Sequence, residues 1–173
     1  MQLAVEKNSL LGEEFLTWLW FKSEENNGIF EARDGSSFGL YFGQKIAVQA
    51  GEGEAKEKAV CSSKVLSELK EARLGLRRGK KVIEAAITLE QDKDSWELQI
   101  KAENFAISGF KTPKVEMKLE EGDEPDARFF EKMYLVEKSL DFLDSVYEQF
   151  LRVRLSPDWS EEVKKIKTWL EKE

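Results

Sequence analysis

Histidine is missing from all 173 residues. With it goes the commonest general base, metal ligand and near-neutral proton switch, and every serine or cysteine triad that relies on imidazole. Cysteine occurs once, at Cys61, which excludes an internal disulfide or a thiolate metal cluster and reads as a small buried hydrophobe. Three prolines argue against long Pro-rich linkers. No glycine-rich phosphate loop is present. The uncharged apolar run Phe15 to Phe21 is far too short to span a bilayer. The start, Met1 to Lys7, has no basic stretch followed by an apolar core. The expectation is a cytoplasmic protein with no signal peptide and no membrane partner. Only carboxylate, lysine and tyrosine chemistry remains, so the chain is expected not to be an enzyme.

What is present is a core-forming, charge-rich chain. Hydrophobic residues make up 41% and charged residues 35%, with a formal net charge of -7. The apolar share is enough to bury a core. The acidic balance removes a whole-protein basic footprint for nucleic acid, but the charge is uneven. Lys64, Lys70, Arg73, Arg77, Arg78, Lys80 and Lys81 cluster against only Glu68 and Glu71. Glu116, Glu120, Glu121, Asp123, Glu124 and Asp126 cluster against only Lys118. Such asymmetry can put a basic surface on an acidic protein.

Periodicity predicts an α+β fold: a mostly antiparallel sheet with an N-terminal helix, a basic helix before a β-hairpin, and a C-terminal pair of long helices. The first helix runs from Leu10 to Lys22, with Leu11, Phe15, Trp18 and Leu19 on one face and Asn8 or Ser9 as cap. Ile29–Arg33, Ser37–Phe42, Lys45–Ala50 and Lys58–Ser63 read as short strands, with turns at Asp34-Gly35 and Gly43-Gln44. A second helix starts at Ser67, buries Leu69, Ala72 and Leu76, and stops at Gly79. Lys80 to Glu90 and Trp96 to Ala102 alternate as the two arms of a hairpin. Ile107–Phe110 and Lys114–Leu119 are further short strands. The acidic loop at 120–126 divides a sheet domain, 1–119, from a helical hairpin, 120–173, packed on it or used for dimerisation. The first C-terminal helix spans Asp126 to Leu155, and Ser156-Pro157 starts the second.

Three constellations carry functional readings. Lys70, Arg73, Arg77, Arg78, Lys80 and Lys81 straddle a helix end and a strand start. They form either a phosphate-backbone grip, gaining affinity by counterion release, or a solvated helix end with cations suited to its dipole. Phe129, Met133, Val136, Leu140, Leu143, Tyr147 and Phe150 repeat at four and three, a heptad seam for self-association or for packing within the chain. Glu116-Met-Lys118, with Glu97 and Lys101, has the Glu-x-Lys shape of metal-dependent nucleases. That pattern arises by chance in so charged a chain, and Glu54-Ala-Lys56 repeats it. No metal site is expected: the acidic run lacks the spacing of a calcium loop.

Two blocks carry a family resemblance. Leu-Gly-Glu-Glu-Phe-Leu-Thr-Trp-Leu, Leu11 to Leu19, and the segment from Leu66 to Val82, followed by the strand to Leu89, resemble divergent members of the recombination-associated protein RdgC family. Gly79, Lys80, Val82 and Trp96 match the family's layout of a capped helix ending in Gly-Lys, then a hairpin that returns with an aromatic. The resemblance is to the C-terminal half of the family chain and spans Leu11 to Phe110. It implies a DNA-associated, non-catalytic protein without a cofactor, which forms dimeric rings around duplex DNA with little sequence preference. The expected function is therefore sequence-independent duplex-DNA binding by a homodimer, with a nucleoid-associated location. The alternative is a protein–protein interaction module that uses the C-terminal helices.

Overall fold

The computed structural model describes residues 11–50, 57–62, 66–115 and 126–172. Helix α1 covers Gly12–Glu25. Strands β1 (Ile29–Glu31), β2 (Ser37–Ala50) and β3 (Glu57–Ser62) follow, then helix α2 (Leu66–Arg77). Strands β4 (Lys81–Gln91), β5 (Asp94–Lys101) and β6 (Ile107–Lys111) precede helices α3 (Ala127–Arg154) and α4 (Trp159–Glu171). The strands form one antiparallel sheet in the order β1-β2-β4-β5-β6, with β3 beside β2 past the end of β1. The α+β architecture expected from periodicity is present, with an N-terminal helix and a C-terminal helix pair. Among the described residues no helix is long and apolar enough to cross a membrane.

The β4–β5 hairpin shows why the alternation was informative. Ala85, Ile87 and Leu89 are buried on one face, and Trp96, Leu98 and Ile100 continue that face on β5. Alternation would add Ile83, but the pairing with β2 shifts register there and Val82 is buried in its place, with Ile83 half-buried. Helices α1, α2 and α3 cover this face, and α4 packs on those helices. Phe15, Trp18 and Leu19 of α1 are buried, as are Ala72 and Leu76 of α2, Phe142, Val146 and Phe150 of α3, and Trp169 of α4. Phe15 meets Phe150 with ring centroids 5.5 Å apart, and Trp20 meets Trp169 at 5.3 Å, edge to face. Sheet and C-terminal helices therefore share one apolar core. The other sheet face carries the outward set, Thr88 and Glu90 on β4 with Ser95, Glu97, Gln99 and Lys101 on β5.

Several local expectations change. Gly43-Gln44 is no turn: β2 runs straight through as a 14-residue strand. Its pairing with β4 slips there, from Phe42↔Ile87 to Ile46↔Ala85, so four steps on β2 oppose two on β4. That irregularity absorbs the glycine without reversing the chain, and Leu40, Ile46 and Val48 all stay buried. Helix α1 begins at Gly12, after Leu11 in a left-handed conformation (φ 52°), with no side-chain cap. Asn8 and Ser9 lie outside the described residues. Lys114 and Val115 belong to no strand, and the rest of that expected strand also lies outside.

Candidate functional site

The basic cluster is built on α2 and the turn that ends it. Ala72 and Leu76 bury one side of the helix. At Gly75 a Cβ would come within 3.0 Å of Val48, so α2 rides close on β2. The helix ends at Gly79, φ 84°. The Gly79 amide donates to the Leu76 carbonyl at 3.0 Å, and the Lys80 amide to the Gly75 carbonyl at 3.0 Å. This is the paired closure of a Schellman motif, which needs a left-handed residue where Gly79 stands. The turn delivers Arg78, Lys80 and Lys81 in quick succession to one corner.

The six cations then part company. Arg73 Nη2 donates to both oxygens of Glu24, at 2.7 and 2.5 Å, and its guanidinium lies 4.7 Å from the Trp169 ring centre. Glu24 also accepts from Trp20 Nε1 at 3.0 Å and from Trp169 Nε1 at 2.7 Å. Arg73 thus fastens α2 to α1 and α4. Arg77 turns to the end of α4, where Nε donates to the Leu170 carbonyl and Nη2 to the Lys172 carbonyl at 3.0 Å. A cation on the last carbonyls of a helix satisfies them and opposes the dipole. Lys80 is half-buried against Gly75. Lys81 is exposed and pairs with Glu13 at 3.0 Å. Lys70 and Arg78 are exposed. Lys172, tied to Arg77 through its carbonyl, is exposed beside them. Sequence reasoning missed it because it lies 95 positions from Arg77.

The heptad seam is also divided. Leu143 and Phe150 are buried and Val136 and Tyr147 half-buried, while Phe129, Met133 and Leu140 are exposed. The buried residues of α3 are Leu135, Ser139, Phe142, Leu143, Ser145, Val146 and Phe150, so the core face leaves the seam in the first half of the helix and meets it again at Leu143 and Phe150. Leu135 and Val136 are neighbours, and one residue turns a helix by about 100°. The sheet sets this rotation: Phe38 stacks on Phe142 at 4.2 Å, and Trp96 Nε1 donates to the Leu135 carbonyl at 2.9 Å. The seam is therefore not a single packing face.

A largely buried ion pair joins α1 to α4. Glu162 accepts from Trp18 Nε1 at 3.0 Å and pairs with Lys22 at 2.7 Å. Burial works against the Lys22 charge, but its hydrogen bonds to Glu162 and Glu25 outweigh that and hold its pKa above the ordinary lysine value. On the open sheet face, a groove of about 580 Å³ is lined by Lys45, Thr88, Glu97, Gln99 and Lys111. Its charges are already matched: Lys45 with Glu84 at 3.0 Å and Lys111 with Glu97 at 2.6 Å. Glu97 of the nuclease reading is thus engaged across β5 and β6. Glu116 and Lys118, like Glu54 and Lys56, fall outside the described residues. Among the described residues no group of three or more Cys, Asp or Glu is arranged to hold a metal ion.

No protein-family model matches the chain, and no curated protein or solved structure matches it significantly.

Proposed function

We propose that this chain binds duplex DNA without reading its sequence, as a non-catalytic protein, through an exposed basic edge. The observation that carries the reading is the Gly79 turn, which brings the exposed Arg78 and Lys81 close together in the chain, with Lys80 half-buried between them, on a protein whose net charge is -7. Lys70 on α2 and Lys172 beyond α4 extend the edge. Arg73 and Arg77 serve it indirectly, by holding α2 and α4 in place. Contacts of this kind grip phosphates and carry no base information. The resemblance of residues 11–110 to the RdgC family points the same way. A protein-interaction role rests on a different observation, the exposed apolar side chains of α3.

The test is fluorescence anisotropy of a labelled random duplex at several salt concentrations. Each phosphate contact contributes about 0.9 to the slope of log affinity against log salt. Replacing Lys70, Arg78 and Lys81 together by Ala should weaken binding and lower that slope by about two to three. An unchanged slope would remove these residues from the interface. Absence of binding by the native chain at low salt would remove the function.

A further inference from the structure

We propose that the cations of this edge stand in two rows, one on α2 and one on α4, along the seam between these helices, and that the two rows grip both backbones of a DNA duplex. Such a grip presupposes the DNA-binding reading, though not the family resemblance, which ends at Phe110 while α4 begins at Trp159. Contacts fix the seam. The Arg73 guanidinium of α2 lies 4.7 Å from the ring centre of Trp169 on α4. One turn later, Arg77 donates to the carbonyls of Leu170 and Lys172. Both helices therefore advance in the same direction along the seam.

The helical period then places the cations. Lys70 and Arg77 stand three residues before and four after Arg73. They are rotated from it by about 60° and 40° in one sense, away from the buried Ala72 and Leu76. Lys165 and Lys172 stand four residues before and three after Trp169. They too are rotated by about 40° and 60° in one sense, away from Glu162, which bonds α1, and Trp159, which meets Phe150 of α3. All four cations are exposed. Lys70 comes level with Lys165, and Arg77 with Lys172. Each row spans seven residues, about 10.5 Å, and packed helices stand about 8 to 10 Å apart. The carboxylates beside the seam are already engaged, Glu24 by Arg73 at 2.5 Å and Glu162 by Lys22 at 2.7 Å, with Lys165 at 3.7 Å from Glu162. The duplex minor groove is about 6 Å wide. Long cationic side chains splaying from rows at this separation reach the phosphates on both sides of it. A single strand offers one backbone and fills one row.

Two double variants of the full chain test the α4 row by anisotropy on a labelled random duplex across a salt series. One is Lys165→Ala with Lys172→Ala. The other is Lys93→Ala with Lys132→Ala, two exposed lysines on the β4–β5 turn and on α3. Both remove two positive charges, so a loss that follows net charge alone would appear in each. The α4 pair should lower the slope of log affinity against log salt by about one to two, and the control pair should leave it unchanged. In the native chain, duplex should protect Lys165 and Lys172 from acetylation by acetic anhydride, read by mass spectrometry, and leave Lys93 and Lys132 reactive. A single strand of the same sequence should bind at least tenfold more weakly. If the native chain binds duplex but the α4 pair matches the control and its lysines stay reactive, the α4 row is wrong and the DNA-binding reading stands. Equal affinity for single strand and duplex would overturn the two-backbone grip. A native chain that binds no duplex at low salt would overturn both.

Discussion

Arg73 and Arg78 stand five residues apart on and just after one short helix, and their surroundings give them different work. The Arg73 guanidinium is held between a carboxylate and a tryptophan face, with its side chain 19% exposed. Its Nε is buried without a hydrogen-bond partner, so the pairing is incomplete. Arg78 is exposed where the chain leaves α2. Removing Arg73 leaves Glu24 without its cation and uncovers Trp169. We expect Arg73→Ala to cost about 2 kcal/mol in urea denaturation, from the lost pair and the lost stacking. Arg78→Ala should fall within about 0.5 kcal/mol of the native chain, as surface changes do. Equal costs would mean that the division between framework and surface cations is wrong. The sequence could not display this division. The spacing of Lys70, Arg73 and Arg77 places them on one helix face, but Glu24 lies 49 positions from Arg73, and no local pattern announces a contact at that range.

At the level of the element, what was legible depended on whether a single neighbour decided the outcome. The β4–β5 hairpin was legible because alternation and a tight turn are local, and the pairs Leu89↔Trp96 and Ile87↔Leu98 follow from them. Strand β2 was misread at Gly43 because a glycine in a strand can mark a turn or a bulge, and β4, forty residues on, chooses between them. Helix α3 is more instructive. It has two apolar stripes about 100° apart, and the heptad count finds only the regular one. In the first half of the helix the core takes the irregular one, because Phe38 and Trp96 are in place to receive it, and from Leu143 to Phe150 the regular one turns into the core. The stripes should separate in stability. Phe142→Ala, emptying a site beneath the sheet, should cost about 3 to 5 kcal/mol. Leu140→Ala, at a position 41% exposed, should cost no more than about 1 kcal/mol. Thermal or urea unfolding of the two variants checks the order, and a reversal would put the wrong face against the core.

The molecule as a whole has one sided layer: helices on one face of the sheet, polar side chains and a charge-matched groove on the other. The acidic stretch before α3 invites a division into a sheet domain and a helical hairpin, yet the packing across that boundary is apolar and shared. Trp169 of α4 touches Trp20 and Phe21 of α1, and Phe150 of α3 touches Phe15 and Trp18. Glu24 ties α1, α2 and α4 by three side chains, and Glu162 ties α4 to α1 a second time. Neither layer can lose the other without exposing large aromatic surfaces, each worth about 1.5 to 3 kcal/mol per side chain. Sheet and helices should therefore unfold together. Tryptophan emission reports the packing of helices and sheet, because Trp18, Trp20 and Trp169 are buried between α1 and its neighbours and Trp96 is buried between the sheet and α3. Far-UV circular dichroism is weighted towards the helices. In urea the two signals should trace one coincident transition, the mark of a two-state domain. If the helices instead melted at lower urea while Trp96 stayed buried, the C-terminal pair would be a separable unit. The basic edge would then lose the α4 end that Arg77 caps, and the proposed DNA binding would be expected to fail at that same urea concentration.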